Sequence, residues 1–287
     1  PDTYDVTISL SGLPTDVATS LSVDGNKVAD MKGGDVRVLT YPIGTTHGFQ
    51  VDQYVSGAEG YRYYCASNSW TASSEGSNTF NYATQVYLDV KTDPEGVTDV
   101  TPSGWYTLGS SASVAEVPVE VKAGEETKYV FKEWMVDGTP RVGNGFVLVM
   151  DAPHKAVAGF DTMFLLTDIS DYGNPTGQGY YRTGETAAFS VDSPIGIGIQ
   201  QVFVEWKGDY SGKDTVGSVT MDGPKTVTAV WTTSYTQLIM IAGVIAAILI
   251  IAGLLLWRRG RRPAAVKAPP VPPPSAAETP APTPEPE

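Results

Sequence analysis

An uninterrupted apolar stretch from Leu238 to Trp257 constrains this chain more than any other feature of its sequence. Its twenty residues read LIMIAGVIAAILIIAGLLLW, with no charged and no strongly polar side chain. As an α-helix it would be about 30 Å long, which matches the hydrocarbon core of a bilayer. Because a helix pairs its own backbone groups, which lipid cannot do, residues 237–257 are predicted to form a transmembrane helix.

The residues around this stretch favour a membrane span over its alternative, a buried core helix. A basic cluster and a Pro-rich tail come after the stretch, rather than further sequence that would form a core. Two aromatic residues, Tyr235 and Trp257, lie at its ends, where rings prefer the headgroup layer. Its two internal glycines, Gly243 and Gly253, are better tolerated in membrane helices than in soluble ones.

The flanking charges predict an orientation. Four arginines follow the stretch within five residues, and such a cluster marks the cytoplasmic side; they are Arg258, Arg259, Arg261 and Arg262. The preceding segment, TTSYTQ, has no charge, so we expect residues 1–236 to face outward. Export needs a signal peptide, and since the chain begins PDTYDV, we expect either that a signal was cleaved or that the sequence was trimmed. The arginines argue against the alternative, tail-anchored insertion.

The segment before the helix is strongly acidic. It has 14 Lys and Arg against 29 Asp and Glu, a net charge of −15. Such a surface repels nucleic acid, so we expect no nucleic-acid partner. The single cysteine, Cys65, excludes a disulfide within the chain. It is predicted to be a small buried hydrophobe in a strand, with an intermolecular disulfide as the alternative.

Strand patterns fill the chain before the helix. YDVTISL (4–10) alternates apolar and polar residues, and LSVDGNKV (21–28) has the Asp-Gly signal of a hairpin. Strands recur every 8–12 residues between turns, with no convincing amphipathic helix before residue 237. We therefore predict an all-β ectodomain of two to three tandem small β modules, followed by a single transmembrane α-helix and a disordered tail.

Two later blocks of sequence repeat each other in the same order. The matching pairs are GWYTLGSSASV (104–114) with GYYRTGETAAF (179–189), VFKEW (130–134) with VFVEW (202–206), and VMDAPHKAVAGF (149–160) with TMDGPKTVTAVW (220–231). Their leading strands, 86–96 and 163–173, match at an offset of 77 residues. Self-similarity at this period predicts tandem modules.

These matches define the predicted domains. We expect β modules at 1–84, 85–161 and 162–232, the transmembrane helix at 237–257, and a basic flank with a Pro-rich disordered tail at 258–287. The first module is predicted to be a divergent copy in which Trp70 corresponds to Trp134 and Trp206. The aromatic residues expected in the repeat cores are Trp70, Phe131, Trp134, Phe203 and Trp206. Since Phe131 and Trp134 are three residues apart, burying both requires a β-bulge or the end of a strand.

The repeated pattern resembles the divergent internalin-B-type repeat of bacterial and archaeal surface proteins. The first copy has the family's glycines, Phe-x-x-Trp core and closing strand at Gly104, Tyr106, Gly109, Phe131, Trp134, Met150, Asp151, Pro153 and Phe160. The second copy has them at Gly179, Tyr181, Gly184, Phe203, Trp206, Met221, Asp222, Pro224 and Trp231. The resemblance implies a fold module used in stalks, spacers or adhesive repeats of the cell envelope.

Motifs for catalysis are missing from the sequence. It has no HExxH, GxSxG, Walker loop or Cys pair, and its two histidines, His47 and His154, fall in different modules. We therefore expect no enzymatic activity and no cofactor. Asp168, Asp171 and Asn174 are a candidate cation site, with turn formation as the alternative. SPIGIGIQQ (193–201) is predicted to be a flexible apolar loop that makes contacts.

Three functions fit these observations. The first is a membrane-anchored cell-surface structural or interaction protein, whose partner would be another envelope protein. The second is an accessory single-span subunit of a membrane complex, because Gly243, Ala247 and Ile250 form a helix face with small residues that permits close packing. The third is an ectodomain that binds a cation or a glycan, for which exposed tyrosines would provide stacking surfaces.

Overall fold

The computed structural model describes residues 2–261. Over this range the chain forms β-strands throughout, followed by one α-helix, so the predicted all-β ectodomain and C-terminal helix are confirmed. The chain divides into two compact units. The larger, here called the β unit, takes the chain up to Asp192 together with Val204–Val230. The smaller, here called the anchor unit, takes Ser193–Phe203 together with the chain from Trp231 onward.

The elements follow one another in three groups along the chain. The first group is β1 (Thr3–Ser11), β2 (Ala18–Val23), β3 (Asn26–Lys32), β4 (Val36–Pro42), β5 (His47–Val51), β6 (Tyr54–Ser56), β7 (Tyr61–Cys65) and β8 (Ser69–Ala72). The second is β9 (Gly76–Asp93), β10 (Gly104–Thr107), β11 (Ser111–Val114), β12 (Glu120–Lys122), β13 (Thr127–Val136), β14 (Thr139–Arg141), β15 (Phe146–Val149) and β16 (His154–Ile169). The third is β17 (Gly179–Arg182), β18 (Thr186–Ser190), β19 (Gln200–Gly208), β20 (Val216–Thr220), β21 (Lys225–Ser234) and α1 (Thr236–Gly260).

A first hydrophobic core lies between β1 and the four-stranded sheet β3-β2-β5-β8. The alternation predicted for residues 4–10 is confirmed, because every second side chain of β1 is buried; these are Tyr4, Val6, Ile8 and Leu10. The predicted hairpin at Asp24-Gly25 is also confirmed, since β2 and β3 pair antiparallel on either side of it. Cys65 is buried in this core, as expected for a small hydrophobe.

A second core is built around Trp134, which is fully buried. Its ring meets Phe146 edge to face at 5.6 Å and lies 6.5 Å from Phe131, between ring centroids. The register of β13 against β16 shifts between Phe131 and Glu133. This irregularity is the bulge that the three-residue spacing requires, and it turns both aromatic side chains toward one core.

A third set of buried side chains includes Trp206, which is 1% exposed. Phe189 meets the Trp206 ring edge to face at 4.9 Å, and Tyr210 meets Phe189 at 5.2 Å. Met221 and Val227 are fully buried as well. Aromatic pairs in this geometry add to the stability that burial of their area provides.

Two long strands, β9 and β16, link these cores. The start of β9 pairs in parallel with β1, whereas its end pairs in parallel with the start of β16. The end of β16 pairs in parallel with β21. The predicted module boundaries at residues 85 and 162 therefore fall inside continuous strands, and no flexible linker separates the cores there.

The backbone pairing also corrects the alignment of the two repeated blocks. Leu88 pairs with Gly104 on one side and with His154 on the other. Leu166 makes the corresponding pairs with Gly179 and Lys225. Leu88 and Leu166 are 78 residues apart, so the sequence offset of 77 is wrong by one residue. The error matters, because a slip of one residue moves every side chain of a strand to the opposite face.

The two core tryptophans give a test of this packing. The indole N–H of Trp206 donates to the Asp214 carbonyl at 3.0 Å. The indole Nε1 of Trp134 is buried with no partner among the described residues. Both substitutions to phenylalanine remove similar volume, but only Trp206→Phe breaks a hydrogen bond. We expect Trp206→Phe to lower the free energy of unfolding by about 1 kcal/mol more than Trp134→Phe, measured by chemical denaturation. Equal losses would contradict this difference between the two cores.

Candidate membrane anchor and carboxylate clamps

Helix α1 has the properties of a membrane anchor. It is 25 residues long, and none of its residues is buried by the rest of the described chain. Within residues 2–261 it is one helix whose length and composition suffice to cross a membrane. A helix of this apolar composition that stays uncovered exposes a large hydrophobic surface, which a bilayer would remove from water. The predicted span, 237–257, lies within its bounds.

The first turn of α1 is bonded to a loop of its own unit. The side chain of Tyr235, the residue before the helix, makes no capping hydrogen bond. Instead, the Leu238 N–H donates to the Gly198 carbonyl at 2.9 Å. In return, the Gly198 N–H donates to the side-chain oxygen Oε1 of Gln237 at 2.8 Å. These bonds satisfy one of the N–H groups that the start of any helix leaves without an intrahelical partner.

The last turn of α1 carries the predicted basic flank. Arg258 and Arg259 lie within this turn, where positive charge complements the helix dipole. The Arg261 guanidinium lies 3.7 Å from the centre of the Trp257 ring, a cation–π contact. Arg262 and the Pro-rich tail lie outside the described residues.

The β unit contains a hydrogen-bonded arrangement that we call a carboxylate clamp. Asp24, in the β2–β3 turn, accepts from the Gly48 N–H at 2.8 Å and lies 2.7 Å from His47 Nδ1. The Asp24 N–H donates back to the Gly48 carbonyl at 2.8 Å. The Gly48 N–H bond, followed by the His47 bond, lowers the pKa of Asp24. The clamp therefore ties a hairpin turn to the start of β5.

The same clamp occurs in the second core. Asp137, in the β13–β14 turn, accepts from the Lys155 N–H at 2.8 Å and lies 2.7 Å from His154 Nδ1. His154 Nε2 lies 3.0 Å from Asp151. Burial by itself lowers the pKa of His154, but the bonds to Asp137 and Asp151 outweigh it, and the pKa is raised. The two histidines thus position turns, and each belongs to a separate clamp.

A third clamp has a lysine in place of the histidine. Asp209 accepts from the Thr226 N–H at 2.6 Å, and its own N–H donates to the Thr226 carbonyl at 2.9 Å. Lys225 occupies the histidine position and pairs with Asp222 at 2.6 Å. This pairing raises the pKa of Lys225 and lowers that of Asp222. The sequence did not indicate the clamps, because each joins residues from separate strands.

The clamps identify the counterpart of Trp134 in the first core. In the two later cores, the residue three positions before the clamp aspartate is a tryptophan, Trp134 or Trp206. In the first core, the residue at this position is Leu21. Leu21 is fully buried in the first core, and the two tryptophans are buried to a similar extent. Trp70, which the sequence had suggested, lies on β8 and packs against the first core while only partly buried. The predicted equivalence of Trp70 is therefore replaced by that of Leu21.

The candidate cation ligands are spread over different environments. Asp168 is buried, 7% exposed, on β16 opposite Val227 of β21, and neither of its carboxylate oxygens has a hydrogen-bond partner in the described chain. Asp171 is exposed in the loop that follows. Asn174 donates from its side-chain amide to Asp192 at 3.2 Å. Across residues 2–261 no three His, Cys, Asp or Glu side chains form a metal-binding group.

Asp168 replaces an apolar side chain of the second core. With the offset of 78 residues its counterpart is Val90, which is buried. Burial raises the pKa of Asp168 to about 6. An unpaired carboxylate in such a position costs free energy, because it has lost its hydration without gaining a partner.

Comparison with known proteins places the chain in no family. No family model matches it, and no curated protein matches it. Among solved structures, a mutant of the major pilin from Streptococcus pyogenes aligns at 10% sequence identity, over 80% of this chain and 98% of that chain. Its TM-score of 0.13 is too low for this likeness to support an inference.

The Asp168→Val variant tests the cost of the buried carboxylate. Because the pKa of Asp168 is higher in the folded chain than its ordinary value, the native protein loses stability as pH rises from about 4 to about 6. We expect Asp168→Val to raise the free energy of unfolding by about 1–2 kcal/mol at pH 7, with a smaller gain at pH 4. Denaturation at both pH values measures this. A loss of stability at pH 7 would indicate that the carboxylate has a partner, such as a cation.

Proposed function

We propose that this chain is a membrane-anchored cell-surface protein with a structural or interaction role, which presents tandem β modules outside the cell. The observation that carries the proposal is helix α1, which follows an all-β chain and leaves its apolar residues uncovered. On this proposal the helix spans the membrane once, residues before it are extracellular, and the arginines after it are cytoplasmic. The modules would belong to the internalin-B-type repeats and would carry no enzymatic activity.

The strand connections support a role in display. In the β unit, β9 and β16 pass from one core to the next without a break in backbone pairing. A module joined in this way cannot swing freely about a linker. Such connections would keep a binding face on one module in a fixed orientation relative to the adjacent modules, which suits a surface protein that displays this face. Its expected partner is a second envelope protein that the acidic surface attracts.

Insertion of α1 into a membrane can be tested by introducing charged side chains into the helix. We expect the full chain to float with lipid vesicles and to resist alkaline extraction. Leu249→Arg with Ile250→Arg should abolish both, since each arginine at the centre of a span costs roughly 2.5–3.5 kcal/mol. The control variant, Val36→Arg with Val38→Arg, places the same charges on exposed apolar positions of β4 and should float normally. Flotation of the helix variant would contradict the proposed span.

The accessory-subunit alternative makes a different prediction. Gly243, Ala247 and Ile250 are exposed on α1, and a Cβ added to Gly243 would meet nothing within 4 Å. That face would therefore admit a neighbouring helix closely. Extraction in mild detergent, followed by mass spectrometry of the proteins that co-migrate, separates the candidates. A stoichiometric membrane protein that is lost in Gly243→Leu would favour the subunit, whereas an envelope protein that is retained in this variant would favour display.

Ligand binding is a third candidate, and one opening in the β unit favours it. A cleft of about 480 Å³ is lined by Tyr87, Asp89 and His154 together with neighbouring side chains. An aromatic ring beside acidic groups suits a glycan or a cation. A thermal shift with either ligand that disappears in Tyr87→Ala or Asp89→Asn would favour this function, and no shift would remove it.

A further inference from the structure

The anchor unit contains an apolar segment with an exposed tip, residues 193–203, which we call the isoleucine loop; it comprises the loop 193–199 and the first four residues of β19. It carries no charged side chain. Two isoleucines near its tip are open to the surroundings: Ile197 is 88% exposed and Ile199 is 51% exposed. Isolated exposed isoleucines are ordinary on a protein surface. Two of them at the tip of an uncharged loop, beside a membrane helix, require a more specific explanation.

The loop tip is held at the first turn of α1. Gly198 makes the two hydrogen bonds with Gln237 and Leu238 that link loop and helix. Gly198 has a φ of +80°, and a Cβ added there would lie 3.6 Å from the Leu238 side chain. The isoleucines on either side of Gly198 therefore lie close to the first apolar residue of the span.

The base of the loop is fixed as well. Ile195 and Gln201 exchange two backbone hydrogen bonds, of 2.9 and 2.8 Å. The Gln201 side chain also accepts from the Thr233 hydroxyl at 3.3 Å. Phe203 meets Trp231 edge to face at 5.9 Å. These contacts tie the base of the loop to the segment that leads into α1. The tip of the loop is therefore held relative to the helix and does not move on an independent hinge.

The corresponding part of the second module has the opposite character. Between its matched strands β11 and β13, the segment 115–126 carries five charged residues: Glu116, Glu120, Lys122, Glu125 and Glu126. The matched segment between β18 and β19, residues 191–199, carries one charged residue, Asp192, and its apolar tip carries none.

We propose that the isoleucine loop inserts Ile197 and Ile199 into the outer lipid layer of the bilayer that α1 spans. The occupant of this apolar surface is phospholipid, because the loop is continuous with the helix surface that the bilayer covers. The proposal rests on the proposed function, since it requires α1 to be a span. Insertion removes both isoleucine side chains from water. It also places the Leu238 N–H in a region without water, where the Gly198 carbonyl is its hydrogen-bond partner.

Depth-dependent fluorescence quenching tests the insertion. In a full-length Cys65→Ala chain, single cysteines at Ile197, Ile248 or Val142 would carry an environment-sensitive dye. Each protein is reconstituted in phosphatidylcholine vesicles that carry a nitroxide either near the headgroup or deep in the acyl chain. At position 197 we expect the shallow nitroxide to quench about twofold more than the deep one, since interfacial elements enter the headgroup and upper acyl region.

The other two positions are controls that separate the outcomes. The dye at Ile248, near the middle of the span, should be quenched more by the deep nitroxide, whereas Val142, 99% exposed in the β unit, should be quenched by neither. Deep quenching at 248 with none at 197 would overturn the loop insertion and leave the span intact. Absence of quenching at 248 would overturn both. Equal quenching at 142 and 197 would also overturn the insertion, because the loop would then have no special access to lipid.

Discussion

Backbone pairing along β9 and β16 is the interaction on which the β structure depends. Each strand is long enough to serve two cores, because its first half completes one set of strands and its second half begins the next. Parallel pairing of β9 with β16, and of β16 with β21, repeats the same connection along the chain. The side chains of one continuous strand thus pack into successive cores, and loss of register in either strand would misplace two cores at once.

At the other end of the chain, the proposed location of α1 in a bilayer would impose a different constraint, because lipid offers no water to pair with backbone groups. A helix meets this constraint for its interior but leaves its first N–H groups without partners. Here Gly198 supplies a carbonyl to Leu238, and Gln237 accepts the Gly198 N–H in exchange. One N–H group at the start of α1 is thereby paired by the chain itself. This pairing explains why a glycine-containing loop lies at the first turn, where its backbone approaches the helix closely.

The sequence predicted the parts of this structure that depend on local pattern. The helix follows from twenty apolar residues, the strands from alternation, and the β2–β3 hairpin from Asp24-Gly25. The bulge beside Phe131 follows from a spacing that an ideal strand cannot satisfy. In each case the physical cause lies within a few residues, so it can be recognised without knowledge of the fold.

The features that could not be predicted depend on pairing between distant residues. The one-residue error between Leu88 and Leu166 arose because similar side chains align almost as well at either offset, and only hydrogen-bond register decides. That register places Asp168 in a core, where the sequence suggested a turn or a cation ligand. The sequence suggested Trp70 as the counterpart of Trp134 because both are tryptophans. The position relative to the clamp aspartate shows instead that the counterpart is Leu21. The predicted cation site stays a prediction.

Backbone hydrogen exchange of the full chain in lipid nanodiscs tests most directly whether α1 spans a bilayer. We predict that amides from Leu238 to Trp257 exchange far more slowly than the fastest surface amides of the β unit, and that Leu238 is protected together with the rest because of its bond to Gly198. Rapid exchange throughout this segment would show that α1 is not in the bilayer. The chain would then not be an anchored surface protein.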